Sequence, residues 1–210
     1  MSARTEHFGS PARAREAAQL GVWVFLATEL MFFGPLFLGY AWGRVSYGAG
    51  FAAASQHTDL FIGTTNTAIL LTSSLFMALA ARAIQIGRRE PAIHCLWITA
   101  ALGVTFLGFK AFEYLTEWQE HLVPWLDFRF EPSLRQPAAL FYFLYFAMTG
   151  LHAVHLTIGI GMVITFAKRL RSHSPASMRS QIEGGALYWH FVDAIWVVLF
   201  PLIYLLERHG

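Results

Sequence analysis

The sequence predicts an all-α polytopic membrane protein, a bundle of five transmembrane helices with its N-terminus inside and its C-terminus outside. Three observations predict it. Hydrophobic residues make up 56% and charged residues 13% of 210 residues, with mean hydropathy +0.47, against about 45–50% apolar and about 25% charged in soluble domains. Five apolar runs follow one another, each long enough to cross roughly 30 Å of hydrocarbon at about 1.5 Å per helical residue. Lys and Arg are distributed unevenly over the connections, which sets the direction of insertion.

A polar arm, residues 1–16, carries Arg4, Arg13 and Arg15. The apolar segment after it is too long for a signal-peptide core and ends without a small-residue cleavage site, so it is expected to be retained as the first span. The five-helix domain occupies 17–210, with spans at about 17–42, 60–84, 93–118, 137–167 and 184–206. Charges, Pro and Gly separate them, as in Gly87-Arg88-Arg89-Glu90-Pro91 and Ser172 to Pro175. The arm and the second and fourth connections hold ten Lys and Arg, and the opposite side holds four, which predicts the stated orientation. Short connections imply antiparallel neighbours, and small residues such as Gly159 with Val163, and Gly150, Ala153 and Thr157, mark expected helix contacts.

Composition also excludes some functions. The net charge of +2 is spread over short loops without a basic patch, so no nucleic-acid partner is expected. A single cysteine, Cys95, permits neither an intrachain disulfide framework nor a cysteine-based metal site. No internal repeat of the kind found in many transporters is evident.

Polar side chains inside the spans carry the functional signal, because they are costly there. Glu29 lies about 12 residues into the first span, roughly 18 Å from its inner edge. It reads either as a carboxyl bonded to a neighbouring helix or as a proton-exchanging or ligand-contacting site. Asn66, entering from the other side, falls near the same depth and is a candidate partner. Lys110 and Glu113, at i and i+3 with Glu117 a turn beyond, read as an ion pair near the outer end, solvated by water or headgroups. The fourth span carries Thr149, His152 and His155 and the fifth His190 and Asp193; His152, His155, His190 and Asp193 fall in the inner half, with Glu183 at the same face. His152 and His155 lie about 60° apart on their helix. The chain lacks the His-Glu-x-x-His zinc pattern and the repeated Glu-x-x-His pairs of di-iron bundles, so no metal is expected. A seam of histidines bonded to carboxylates, hydroxyls or headgroups, holding the fourth and fifth spans together, fits these residues better. Tyr188, Trp189, Trp196, Trp97, Trp118 and Trp125 read as interfacial anchors.

At these residues the chain resembles subunit III of the haem-copper oxidases, the cytochrome c and quinol oxidase family. The resemblance runs in order from Leu20 to Leu206. It comprises Thr28-Glu29-Leu30-Met31-Phe32-Phe33; Asn66-Thr67-Ala68-Ile69-Leu70-Leu71 with Ser73; Phe112-Glu113-Tyr114; and Thr149-Gly150-Leu151-His152-Ala153-Val154-His155. It ends with Glu183-Gly184-Gly185-Ala186 and Tyr188-Trp189-His190-Phe191-Val192-Asp193 with Trp196. Ala153 stands where the family usually has Gly. Longer members have seven spans, and this chain is similar to the five-span bacterial form, which is expected to alter the lipid cleft.

The resemblance implies a subunit without catalytic residues, haem or metal of its own, bound beside oxidase catalytic subunit I, with subunit II and others, in the bacterial cytoplasmic membrane. Haem and copper would reside only in the partner subunits. The subunit would stabilise the catalytic subunit, support proton uptake in aerobic respiration and bind phospholipid. Glu29 matches the family's buried, carbodiimide-reactive glutamate. Asn66, Glu113, His152, His155, Glu183, His190 and Asp193 match polar helix-contact or lipid-contact positions. Two alternatives stand beside this reading: an accessory membrane protein of a nitric oxide reductase complex, and an independent proton or solute transporter.

Overall fold

The computed structural model describes residues 11–205. Six α-helices run in order, α1 Pro11–Ser46, α2 Gly48–Gln56, α3 Leu60–Gln85, α4 Arg89–Gln119, α5 Arg135–Leu170 and α6 Pro175–Phe200, closed by a π-helical turn, Pro201–Leu205. No strand occurs among the described residues. Among the described residues, five helical stretches are long and apolar enough to cross a membrane: Trp23–Ser46 within α1, then α3, α4, α5, and α6 with its π turn. The chain is thus a multi-pass membrane protein. Arg4, Leu206 and Arg208, which entered the charge and span readings, lie outside the described residues.

The chain divides into two units, Met1–Leu38 and Gly39–Gly210. In the first, α1 is helical from Pro11, inside the stretch expected to be a polar arm. It continues through Pro35, which removes one backbone donor. Phe33 stacks on Phe37 at 6.2 Å.

The second unit is built on a ring of four long helices: α3 packs on α4 and α6, and α5 packs on the same two. Local signals set the element ends. Asp59 caps α3 by accepting from the amides of Phe61 and Ile62 at 2.8 and 3.2 Å. Gly87, at φ +74°, takes the left-handed conformation that closes α3. Ser174 caps α6 and Pro175 occupies its first turn, so the helix begins well before the apolar run that starts at Gly184. Arg89 ties the start of α4 to the end of α5: its guanidinium donates to the carbonyls of Leu170, Arg171 and His173 at 2.6, 2.7 and 3.0 Å.

The short helix α2 falls in a connection that the sequence, rich there in Gly and Ala, reads as a loop. Phe51 explains it. Its side chain is fully buried and meets the rings of Tyr40 and Phe141 edge-on at 5.4 and 5.5 Å, so burial of one aromatic fixes a helix that propensity alone would not. The expected contact positions Gly159 and Val163 are both buried. A Cβ at Gly159 would lie 3.2 Å from the Trp189 ring, which is how α5 and α6 approach closely. Thr157, in the companion series, is instead exposed and bonds back to the Ala153 carbonyl.

Candidate functional site

Lys110, Glu113 and Glu117 occupy one stripe of α4, spaced by a helical turn each. The expected solvated pair at the membrane interface is corrected here, since Lys110 and Glu113 are only 2% and 3% exposed. Tyr145 of α5 and Tyr204 of the π turn close over them. The Lys110 ammonium donates to Glu113 Oε2 at 3.0 Å, to the Tyr145 hydroxyl at 2.8 Å and to the Tyr204 hydroxyl at 2.9 Å. Those bonds use all of its donors. Both tyrosine hydroxyls in turn donate to Glu113 Oε1, Tyr145 at 3.0 Å and Tyr204 at 2.5 Å. The ammonium also lies 4.6 Å from the centre of the Tyr145 ring and 5.5 Å from those of Tyr114, Trp196 and Tyr204, within the roughly 6 Å at which aromatic faces attract cations. The charge is therefore housed by partners on α4, α5, α6 and the π turn together.

The π turn places Tyr204. Pro201 interrupts regular helical bonding at the end of α6, and the Tyr40 hydroxyl donates to the Leu202 carbonyl beyond it. Gly63 of α3 leaves room, since a Cβ there would lie 3.0 Å from the Tyr204 ring. Beside the cage, Thr149 Oγ1 donates to the Tyr145 carbonyl at 2.6 Å, so its contact with the Tyr114 hydroxyl at 2.5 Å has Tyr114 as donor. Tyr114 also lines an apolar cavity of about 440 Å³ with Trp118, Trp125, Leu126, Phe143 and Phe146.

His152 lies inward along α5, 1% exposed. Its ring meets Phe106 at 5.5 Å and Trp196 at 5.1 Å, and neither nitrogen has a hydrogen-bond partner among the described residues. Asn66 is fully buried on α3, and its amide is likewise without a partner among them. Glu29 belongs to the first unit and Asn66 to the second, so their pairing stays an expectation.

The remaining polar residues, expected to hold the fourth and fifth spans together, also reach α3. His190 Nδ1 lies 2.6 Å from the Ser74 hydroxyl, joining α6 to α3 rather than to α5. Ser74 is also beside Asp193, yet neither Asp193 oxygen has a partner in hydrogen-bonding geometry among the described residues. His155 Nδ1 bonds the Leu151 carbonyl at 2.9 Å, and its own carbonyl accepts from the Tyr188 hydroxyl at 2.9 Å. Glu183 accepts from Arg179 Nε at 2.9 Å and from Gln85 Nε2 at 3.1 Å, again bridging α6 and α3. The fourth and fifth spans are joined by that Tyr188 bond and by packing on Trp189, which the interfacial reading misplaced. Trp189 is fully buried and donates to Ser73 Oγ at 3.1 Å, while Trp196, 1% exposed, donates to Thr67 Oγ1 at 3.1 Å.

Among the described residues, no three His, Cys, Asp or Glu side chains gather in metal-ligating proximity. In the connection after α4, the hydrogen bond from the exposed Arg129 guanidinium, 2.5 Å at its nearest, holds the Asp127 carboxyl below its ordinary range. The sequence reading passed over Tyr145 and Tyr204 altogether. Helical spacing on α5 offers one signal, since Tyr145, Thr149 and His152 share a stripe; nothing local marks Tyr204.

Comparison with known proteins finds relatives along almost the whole chain. A family model described as cytochrome c oxidase subunit III matches residues 5–207. Cytochrome c oxidase subunit 3 of Thermostichus vulcanus is 34% identical over 191 residues, covering 90% of this chain and 87% of that protein. The protein of the same name from Alkalihalophilus pseudofirmus is 32% identical over 192 residues, 91% and 87% of the two chains. That of a Synechocystis strain is 31% identical over 202 residues, 95% and 78%.

Proposed function

Because the chain belongs to the cytochrome c oxidase subunit III family, we propose that it serves as the non-catalytic subunit III of a terminal haem-copper oxidase in aerobic respiration. It binds beside catalytic subunit I, with subunit II and other partners, in a bacterial cytoplasmic membrane. There it stabilises the catalytic subunit and supports proton uptake, with phospholipid bound. Haem and copper belong to its partners. The observation that carries this reading is the match over residues 5–207, which runs through all five apolar helical stretches. Glu29 is the carboxyl assigned to proton exchange or lipid linkage, and the apolar cavity beside Tyr114 is of a size and lining that suit an acyl chain.

The test is purification from native membranes in mild detergent, with the chain tagged. The expected result is co-purification with a haem-containing oxidase subunit, and an optical spectrum that disappears when that partner is removed. In a strain lacking the chain, the oxidase is expected to lose activity faster during turnover. Co-purification with a nitric oxide reductase would replace this reading by the accessory one. A chain isolated without partners that carries protons across liposomes would replace it by the transporter.

A further inference from the structure

Counting donors around the buried pair leaves one group over. The cluster holds one ammonium, Lys110, and two carboxyl groups, Glu113 and Glu117, on successive turns of α4. Lys110 directs its donors to Glu113, Tyr145 and Tyr204, and both tyrosines direct theirs to Glu113. Tyr114 donates to Thr149, Thr149 to the Tyr145 carbonyl, and Tyr142 to the Ala54 carbonyl at 3.4 Å. None of these donors reaches Glu117, which is 5% exposed and whose two oxygens have no hydrogen-bond partner among the described residues. Glu113 already balances the charge on Lys110, so an ionised Glu117 would stand there as an uncompensated buried charge. A carboxylic acid in the same place is neutral.

We propose that Glu117 is a proton-binding site within this chain, taking up one proton and releasing it to water at the adjacent end of α4. The groups coupled to it electrostatically are Lys110, Glu113 and Tyr114 from its own helix, Glu120 at the cap of that helix, Tyr142 and Tyr145 from α5, and Tyr204 from the π turn. The exit is short. α4 ends at Gln119, and Glu120 and His121 are exposed, so Glu117 is about 4.5 Å of helical rise from the exposed end. The Tyr145 hydroxyl, bonded to both Lys110 and Glu113, also lies beside Glu117, which places the second carboxyl one hydroxyl away. Release breaks the carboxyl O–H bond, leaves the electron pair on the carboxylate and passes the proton to water; uptake is the reverse, and nothing is oxidised or reduced.

Infrared difference spectroscopy of the intact purified complex, stepped in pH, tests this by reading the C=O band of a protonated carboxyl. The expected result is a band that grows and fades reversibly with pH, shifts in D2O, persists in Glu29→Gln and is lost in Glu117→Gln. Glu117→Asp keeps a carboxyl and carries the test should Glu117→Gln fail to assemble; its band must be displaced from that of the parent. A parent complex without such a band, or a band unchanged in either Glu117 variant, overturns the proposal. So does a spectrum that responds to potassium at fixed pH in place of protons, since that identifies a cation site.

Discussion

Tyr204 decides how well the buried charges are satisfied, because its one hydroxyl accepts from Lys110 and donates to Glu113. Tyr204→Phe keeps the ring and removes both bonds, and an unmet buried polar group costs about 1–3 kcal/mol. Lys110→Met alone strands Glu113 as an unpaired buried carboxylate, a loss of about 3–5 kcal/mol, whereas replacing both members of a buried pair by apolar groups is often close to neutral. The double variant Lys110→Met with Glu113→Leu is therefore expected to be more stable than Lys110→Met alone. Thermal unfolding of the four proteins in detergent measures this as a double-mutant cycle, and additive costs would contradict the coupling. The pair itself was legible in the sequence, since i, i+3 spacing on a helix brings Lys110 to Glu113. Its burial was not. Depth along a helix follows from residue count, but what covers that face depends on Tyr204, 94 residues further along the chain than Lys110. The same limit explains Trp189 and Trp196, whose positions along the span did not reveal that they point into the ring of helices.

At the scale of elements, Arg89 shows a charge with a second task. The last carbonyls of a helix have no partner within it, and Arg89 from the start of α4 supplies donors to Leu170, the last residue of α5, and to Arg171 and His173 just beyond it. The planar guanidinium suits this; a lysine ammonium lacks the fork. Arg89→Ala is expected to let the end of α5 fray, with amide hydrogen exchange at Lys168 to His173 faster by about tenfold or more, which corresponds to about 1.4 kcal/mol of local opening. Arg88→Ala, at an exposed neighbour, is expected to leave that exchange unchanged, and equal acceleration in both variants would argue against the cap. Hydropathy found the five long helices because each must bury a continuous apolar run. It missed α2, which exists through one buried phenylalanine, and the π turn, which depends on how Pro201 is accommodated. It also understated α6, whose first turns are polar and held by Ser174 and Pro175 rather than by burial.

Orientation belongs to the whole molecule, because no single helix of the α3 to α6 ring contains it. The ring would pack identically either way up; the direction is expected from the ten Lys and Arg on one side against four on the other. In a Cys95→Ala background, Glu131→Cys and Ser172→Cys place single thiols in the exposed connections after α4 and after α5, on opposite sides of the membrane. A membrane-impermeant maleimide added to intact spheroplasts is expected to label Glu131→Cys and spare Ser172→Cys, and the pattern should exchange in inverted vesicles. The reverse pattern would defeat the charge argument. It would also change what Glu117 exchanges protons with. Glu117 sits at the same end of the bundle as Glu131, so an outward-facing end gives it access to the external aqueous phase, away from the side on which Glu183 and the Arg89 cap lie. Any proton it binds then comes from outside, and acidifying the external medium alone should suffice to fill it.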